Sequence, residues 1–332
     1  MAPDCETERG RWRAAARSVP GLPEGFLWRE ADPSPRRSGL RRARLAIAAD
    51  CAAALDAVGF NLEGREQLAP SDLTGRSALL EIPGPTGRLL VRRYAHGGLL
   101  RWLTRARFAD PDRPMRELRL AHALRASGFP TARVVAARAR PATGWGWRLE
   151  LVSERVEGAR DLGTWLEALR ERTIKTRERR SVARALGAML ARAHNLGLAH
   201  ADLQPRNVLV VPRAGGWELL LIDLDRSELT ARLNGTARHR NLARLFRAVV
   251  RREARGRPFL ARADVMRVLA SYRAALAADP GRAADVGTLH AEWNGVAHAH
   301  AAALRRHRLG WWLERRMGAD PAARDGSARV RE

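Results

Sequence analysis

The stretch His200-Ala-Asp-Leu-Gln-Pro-Arg-Asn207 places a carboxylate and a carboxamide, Asp202 and Asn207, five residues apart on one short polar loop. A second apolar run, Leu219-Leu-Leu-Ile222, then ends in Asp223-Leu-Asp225. These residue types supply what phosphoryl transfer from ATP needs: a carboxylate to orient and deprotonate a hydroxyl, and an amide and a second carboxylate to hold Mg2+. Asp202 is the candidate base, and Asn207 and Asp223 are the candidate metal ligands. His200 reads as an internal hydrogen-bonding residue that holds the loop, and Asp225 as either a helper at the metal or a brace. A lone His-x-Asp is usually a polar turn between strands. The longer pattern, with an apolar run closing on Ile-Asp, is far more specific.

The remaining parts are sought upstream. A cation must reach the α and β phosphates, usually a strand lysine fixed by a helix glutamate. Lys175 is the sole lysine, and it sits in the charged stretch Arg172–Arg177. The role therefore falls to Arg92 on the segment Arg88–Tyr94, with Glu117 on the next helix as its partner. Strand periodicity puts Leu90 on the face of Arg92, where it can cover the adenine, and turns Arg93 the other way, toward solvent. A guanidinium can bind phosphate bidentately, although it is bulkier than an ammonium. Gly75-Arg76-Ser77 is the candidate phosphate-covering turn, with one glycine where G-x-G-x-x-G is usual. In the connector Glu154-Arg-Val156, the Glu154 carbonyl and the Val156 N–H are placed to meet the purine edge.

The elements that must position these groups follow from periodicity and turn residues. Residues 1–44, rich in Arg and Pro, read as a mobile basic arm. Ala46–Val58 reads as a short helix ended by Gly59. Ala78–Ile82, Pro83-Gly-Pro-Thr-Gly87 and Arg88–Tyr94 predict a hairpin. Met115–Ala126 predicts a helix stopped by Gly128 and Pro130, and Trp147–Val152 a strand. Residues 178–196 carry a clear helical stripe with Gly197 just beyond it. Val208–Val211 and Glu218–Ile222 predict a second hairpin, and the chain after Ala237 reads as helical. The expected architecture is α+β and bilobal, protein-kinase-like: an antiparallel-sheet N-lobe over 45–155 and a helical C-lobe over 156–332, ending in an amphipathic segment.

The chain has 332 residues and a formal charge of +24, nearly all from arginine. Such a charge favours anionic partners. Cys5 and Cys51 offer neither a disulfide framework nor metal-ligand spacing. No secretory signal and no uncharged run long enough to cross a bilayer is read, which points to a cytoplasmic protein, soluble or peripheral. The ten tryptophans are scattered and no recognition motif accompanies them, so no nucleic-acid partner is expected; no oligomer is assigned. The terminal segment Arg305–Arg316 pairs Trp311 and Trp312 with arginines. Packing on the C-lobe is the common fate of such a stripe; an interfacial helix on anionic lipid is the alternative.

These features together resemble the lipopolysaccharide kinase family, the bacterial Kdo and core-heptose kinases, a branch of the protein-kinase-like fold. The resemblance rests on His200–Asn207 with Ile222–Arg226, on Val91–Gly98, on Arg116–Arg119 with Gly128–Pro130, and on Asn241–Leu245, spanning roughly residues 73–250. It implies ATP and Mg2+, an anionic glycolipid acceptor (lipid A–core) phosphorylated on an inner-core sugar hydroxyl, and work at the cytoplasmic face of the inner membrane. A eukaryotic-type protein kinase fits poorly: Ala201 and Gln204 stand where an arginine and a lysine are usual, and the stretch after Asp225 reaches the next helix quickly. Two rival readings are an aminoglycoside-type phosphotransferase, which wants an acidic pocket, and a pseudokinase scaffold, which has no need of Asp202, Asn207 and Asp223 together.

Overall fold

The computed structural model describes residues 21–31, 42–64, 66, 68–71, 79–96, 106–254, 260–281 and 286–316. The chain divides into two compact units, Met1–Glu157 and Gly158–Glu332.

The first unit is built on a seven-stranded antiparallel sheet. Its strands are β1 (Phe26–Glu30), β2 (Arg44–Ala48), β3 (Ala69–Pro70), β4 (Leu80–Pro83), β5 (Arg88–Arg93), β6 (Val134–Pro141) and β7 (Trp147–Glu154), in the order β1-β2-β6-β7-β5-β4-β3. The hairpin expected around Pro83–Gly87 is β4–β5, in the register Leu80↔Val91 to Pro83↔Arg88. One face of the sheet gathers Leu45, Ile47, Leu89, Val91 and Val152 with Cys51, Leu55 and Phe60, the last three supplied by the short helix α1 (Ala52–Ala57) and its flanks. Helix α2 (Arg113–Ala126) packs against β6 and β7, burying Leu118, Ala121 and Leu124, and ends at Gly128 in the left-handed region.

Three expectations for this unit need correction. Phe26–Glu30, placed in a mobile arm, forms β1 and pairs along its length with β2. Residues 1–20 and 32–41 of that arm lie outside the described residues. Ala46–Ala48, expected to be helical, belongs to β2: Leu45 and Ile47 alternate into the core, and pairing with β6 outweighs the helix propensity of alanine. Strand β6 was not anticipated at all, because Arg138 and Arg140 make its sequence look like surface. In the fold Arg138 is fully buried, paired with Glu66 and Glu150 and stacked 3.8 Å from the Phe60 ring centroid. A buried arginine whose donors are all engaged is the exception that composition hides.

The second unit centres on helix α4 (Thr176–Asn195). Around it lie α3 (Leu162–Arg170), α5 (Gly235–Glu253), α6 (Arg262–Ala277) and α7 (Leu289–Arg316). Asp161 caps α3, accepting from Thr164 N at 3.1 Å. Helices α4 and α6 approach closely at Gly187: a Cβ built there would lie 2.7 Å from Tyr272 N and nearer still to Val268 O. Strands β8 (Arg160–Asp161), β10 (Val208–Arg213) and β11 (Gly216–Leu221) form a three-stranded sheet in the order β11-β10-β8. A ribbon pairs β9 (Leu198–Ala199) with β12 (Glu228–Leu229). The side chains of the terminal turns of α7, Trp311 and Trp312 among them, lie outside the described residues.

Candidate active site

The loop 200–207 is held from every side by hydrogen bonds inside the second unit. Gly197, with φ +81, turns the chain from α4 into β9, and its carbonyl accepts from Thr230 N at 3.0 Å. That contact and the β9–β12 ribbon fold the segment after Asp225 back onto the start of the loop. His200 is 1% exposed. Its Nε2 lies 3.1 Å from the Ile222 carbonyl and must donate, so Nδ1 accepts from the Asp202 N–H at 3.2 Å. The bond in which Nδ1 accepts requires the neutral ring, and burial pushes the His200 pKa down, as that needs. This is the loop-holding role expected of His200.

Asp202 sits at the loop apex with its side chain about a quarter exposed (27%). Arg206 Nη2 donates to Oδ2 at 3.1 Å and Gln204 Nε2 donates to Oδ1, so both carboxylate oxygens are oriented. Asn207 is nearly buried, and its Nδ2 donates to the Asp202 carbonyl at 2.7 Å. With the nitrogen so committed, Oδ1 is the atom Asn207 can offer a cation. Ile222 N in turn donates to the Asn207 carbonyl at 3.0 Å, which sets Asp223 beside Asn207 in the fold. Asp223 itself adopts φ +60, a left-handed conformation that non-glycine residues rarely take and that acids take more readily than most. The carboxylates of Asp223 and Asp202 both lie near enough to the His200 ring to act on it electrostatically.

The donor set can be compared with what Mg2+ takes. Among the described residues no group of three or more His, Cys, Asp and Glu side chains gathers as an all-protein cage. Magnesium in phosphotransfer sites is bound through one or two carboxylates, with phosphate and water completing the octahedron. One amide oxygen and one carboxylate, Asn207 and Asp223, fit that pattern.

In the first unit, Arg92 Nη2 lies 2.6 Å from both carboxylate oxygens of Glu117. Glu117 is buried, and it also accepts from the Tyr94 hydroxyl. The Arg92 guanidinium stacks 4.7 Å from the Tyr94 ring centroid, which fixes its direction. Leu90 and Arg92 alternate against the buried Leu89 and Val91, as strand periodicity requires. Arg93, expected in solvent, is 53% exposed yet reaches Glu150 at 3.2 Å. Glu154 closes β7 with its N–H on the Arg133 carbonyl, 2.8 Å, and its carboxylate on Arg133 Nη1, 2.9 Å. Val156 follows, half-buried. Gly75, Arg76 and Ser77 lie outside the described residues.

Sequence reading missed three contributors. Arg206 pairs with Asp202 across one turn of the loop, an i,i+4 spacing visible in the sequence. Tyr94 supports Glu117, two residues beyond Arg92 on the same strand face. Asn241, on α5, donates to the His200 carbonyl at 2.7 Å, and no local spacing announces that.

An acid and an amide on one hydrogen-bonded loop, with a second acid set beside them, are the donor set of a phosphotransferase. A family model, the lipopolysaccharide kinase (Kdo/WaaP) family, matches residues 76–272. The chain belongs to that family. A 3-deoxy-D-manno-octulosonic acid kinase of Stenotrophomonas maltophilia (strain K279a) is 34% identical over 182 residues, 53% of this chain and 68% of the relative. The kinase of the same name from Xanthomonas axonopodis pv. citri is 32% identical over 191 residues, 56% of this chain and 71% of the relative. A solved structure of WaaP in complex with acyl carrier protein aligns over 76% of this chain and 90% of that chain at 19% identity, with a TM-score of 0.47.

Proposed function

We propose that this protein transfers the γ-phosphoryl group of ATP, with Mg2+, to a hydroxyl of an inner-core sugar of lipopolysaccharide, and that the sugar is Kdo. The observation that carries the reaction is the bonded loop Asp202–Asn207–Ile222–Asp223. The choice of Kdo over heptose is supported by the names of the relatives at 32–34% identity.

Asp202 takes the acceptor hydroxyl. Arg206 and Gln204 keep its two oxygens aimed, so that one can meet the incoming proton without a rotamer search. Asn207 Oδ1 and the Asp223 carboxylate would hold Mg2+, which would supply neutralisation of phosphate charge. Arg92, kept in place by Glu117 and Tyr94, binds the α and β phosphates. Leu90 covers the adenine, and the Glu154 carbonyl and Val156 N–H meet its edge. Gly75-Arg76-Ser77 closes over the phosphates. The +24 charge suits an acceptor that carries carboxylates and lipid A phosphates. No described helix is long and apolar enough to cross a membrane. The acceptor is met at the cytoplasmic face of the inner membrane by peripheral contact.

The test is direct. The purified chain is incubated with ATP, Mg2+ and, in separate reactions, Kdo-bearing lipid A, a heptosylated core and kanamycin, and the products are weighed by mass spectrometry. One added phosphate on the Kdo acceptor is expected. Transfer to the heptosylated core with none to the Kdo acceptor would overturn the sugar assignment, and transfer to kanamycin with none to either glycolipid would overturn the acceptor class.

A further inference from the structure

Behind the loop runs a chain of buried and part-buried hydrogen bonds that the reaction itself does not use. Asn241 Nδ2 donates to the His200 carbonyl at 2.7 Å, which assigns the amide: its Oδ1 faces His194 Nε2, 3.3 Å away. An amide oxygen only accepts, so His194 carries its proton on Nε2. Its Nδ1 is then an acceptor, and the Tyr272 hydroxyl, at 2.8 Å, donates to it. His194 and Tyr272 are 1% and 0% exposed, and their rings meet edge to face at 5.5 Å. Burial depresses the His194 pKa to about 4, so the ring is neutral as this arrangement demands.

We propose that Tyr272, His194 and Asn241 form a positioning relay that sets the His200 carbonyl and, through the His200 ring, the Asp202 backbone. The proposal rests on the reading of loop 200–207 as the phosphotransfer loop. Each link has a single workable direction, since reversing any one would oppose two acceptors or two donors. Tyr272 fixes the His194 tautomer; the tautomer fixes the Asn241 amide; the amide holds the His200 carbonyl; and His200 Nδ1 holds the Asp202 N–H. The relay thus spans α6, α4 and α5 and ends on His200, two residues from the base and bonded to its N–H. The close approach of α4 and α6 at Gly187 is what brings Tyr272 within reach of His194. None of the three relay side chains is assigned a contact with ATP, Mg2+ or acceptor, so they position and do not catalyse.

The experiment uses the full chain and the variants Tyr272→Phe, His194→Leu, His194→Gln and Asn241→Ala. Backbone amide exchange is followed without substrate, and kcat and KM for ATP are measured with Kdo-bearing lipid A as acceptor. The relay predicts faster exchange of the Asp202 amide in Tyr272→Phe and His194→Leu, with the β10–β11 amides unchanged. It predicts a fall in kcat of about ten-fold for His194→Leu, with KM for ATP within about two-fold. Glutamine offers one donor and one acceptor, so His194→Gln is expected to restore most of kcat. The double variant Tyr272→Phe/His194→Leu should lose no more than His194→Leu, because both cut the same chain. Equal loss in the glutamine and leucine variants, or an Asp202 amide indifferent to Tyr272→Phe, overturns the relay. Should a leucine or alanine variant fail to fold, Tyr272→Phe keeps the ring, and its Asp202 amide exchange decides. If the wild-type chain phosphorylates no acceptor, the functional reading fails, while amide exchange still tests the relay.

Discussion

Replacement of Arg92 by methionine tests the part of the site that departs from the usual strand lysine. Glu117 keeps only 3% of its side chain in water and is bonded by Arg92 and Tyr94, whereas Arg92 retains 25% exposure. Removing one partner of a fully buried pair costs about 3–5 kcal/mol. Partial exposure of Arg92 and the surviving Tyr94 bond reduce that to about 2 kcal/mol in Arg92→Met. Glu117→Gln, made in the methionine background, removes the stranded charge and should recover about 1 kcal/mol of the loss. Denaturant unfolding of the wild type, both single variants and the double variant yields the coupling. In the same set, KM for ATP should rise in Arg92→Met, because the proposed phosphate contact is gone. A cost below about 0.5 kcal/mol with no coupling would refute the view that Glu117 is an otherwise costly buried charge held by Arg92.

Four further outcomes are expected. Asp202→Asn should lower kcat about 10²- to 10⁴-fold while ATP binding, read by a nucleotide-induced rise in Tm, is kept. Asp223→Ala should abolish the Mg2+-dependent part of that nucleotide stabilisation, seen by comparing ATP with and without the metal. Gly187→Ala should destabilise the protein by about 1–3 kcal/mol despite the better helix propensity of alanine, since the new Cβ meets the α6 backbone; a lowered Tm checks this. The His194 imidazole titrates near 6.5 when unfolded and at about 4 when folded, so the unfolded chain takes up the proton first. Its contribution is therefore complete above pH 6.5 and is lost as pH falls toward 4, by about 1.4 kcal/mol per unit over that window. Denaturation at pH 7 and pH 5 should show a smaller drop in His194→Gln than in the wild type.

Much of the site was legible because its chemistry is local in the chain. The spacing of Asp202 and Asn207, the Ile222-Asp223 strand end and the β5 alternation of Leu90 and Arg92 are patterns of one loop or one strand, and the backbone geometry follows from them. The second hairpin and the helices over 113–126 and 176–195 were readable for the same reason, since period and flanking turn residues mark them. What escaped was decided between distant segments. Strand β6 hides behind Arg138, whose burial makes sense only when Glu66 and Glu150 arrive from elsewhere in the chain. Strands β1 and β2 exist because they pair, against the helical and Pro-rich look of their sequences.

The sequence by itself determined the kit: which carboxylates, which amide and which guanidinium are available, and the order in which they come. Tertiary structure decided their states and supports. Burial disfavours the charged form of His200, and two loop neighbours aim Asp202. Tyr94 joins Arg92 on Glu117, and Asn241 bonds the loop directly, with His194 and then Tyr272 behind it on two other helices. Hydrogen-bond direction and desolvation depend on groups far apart in the chain, and only packing brings those groups into contact.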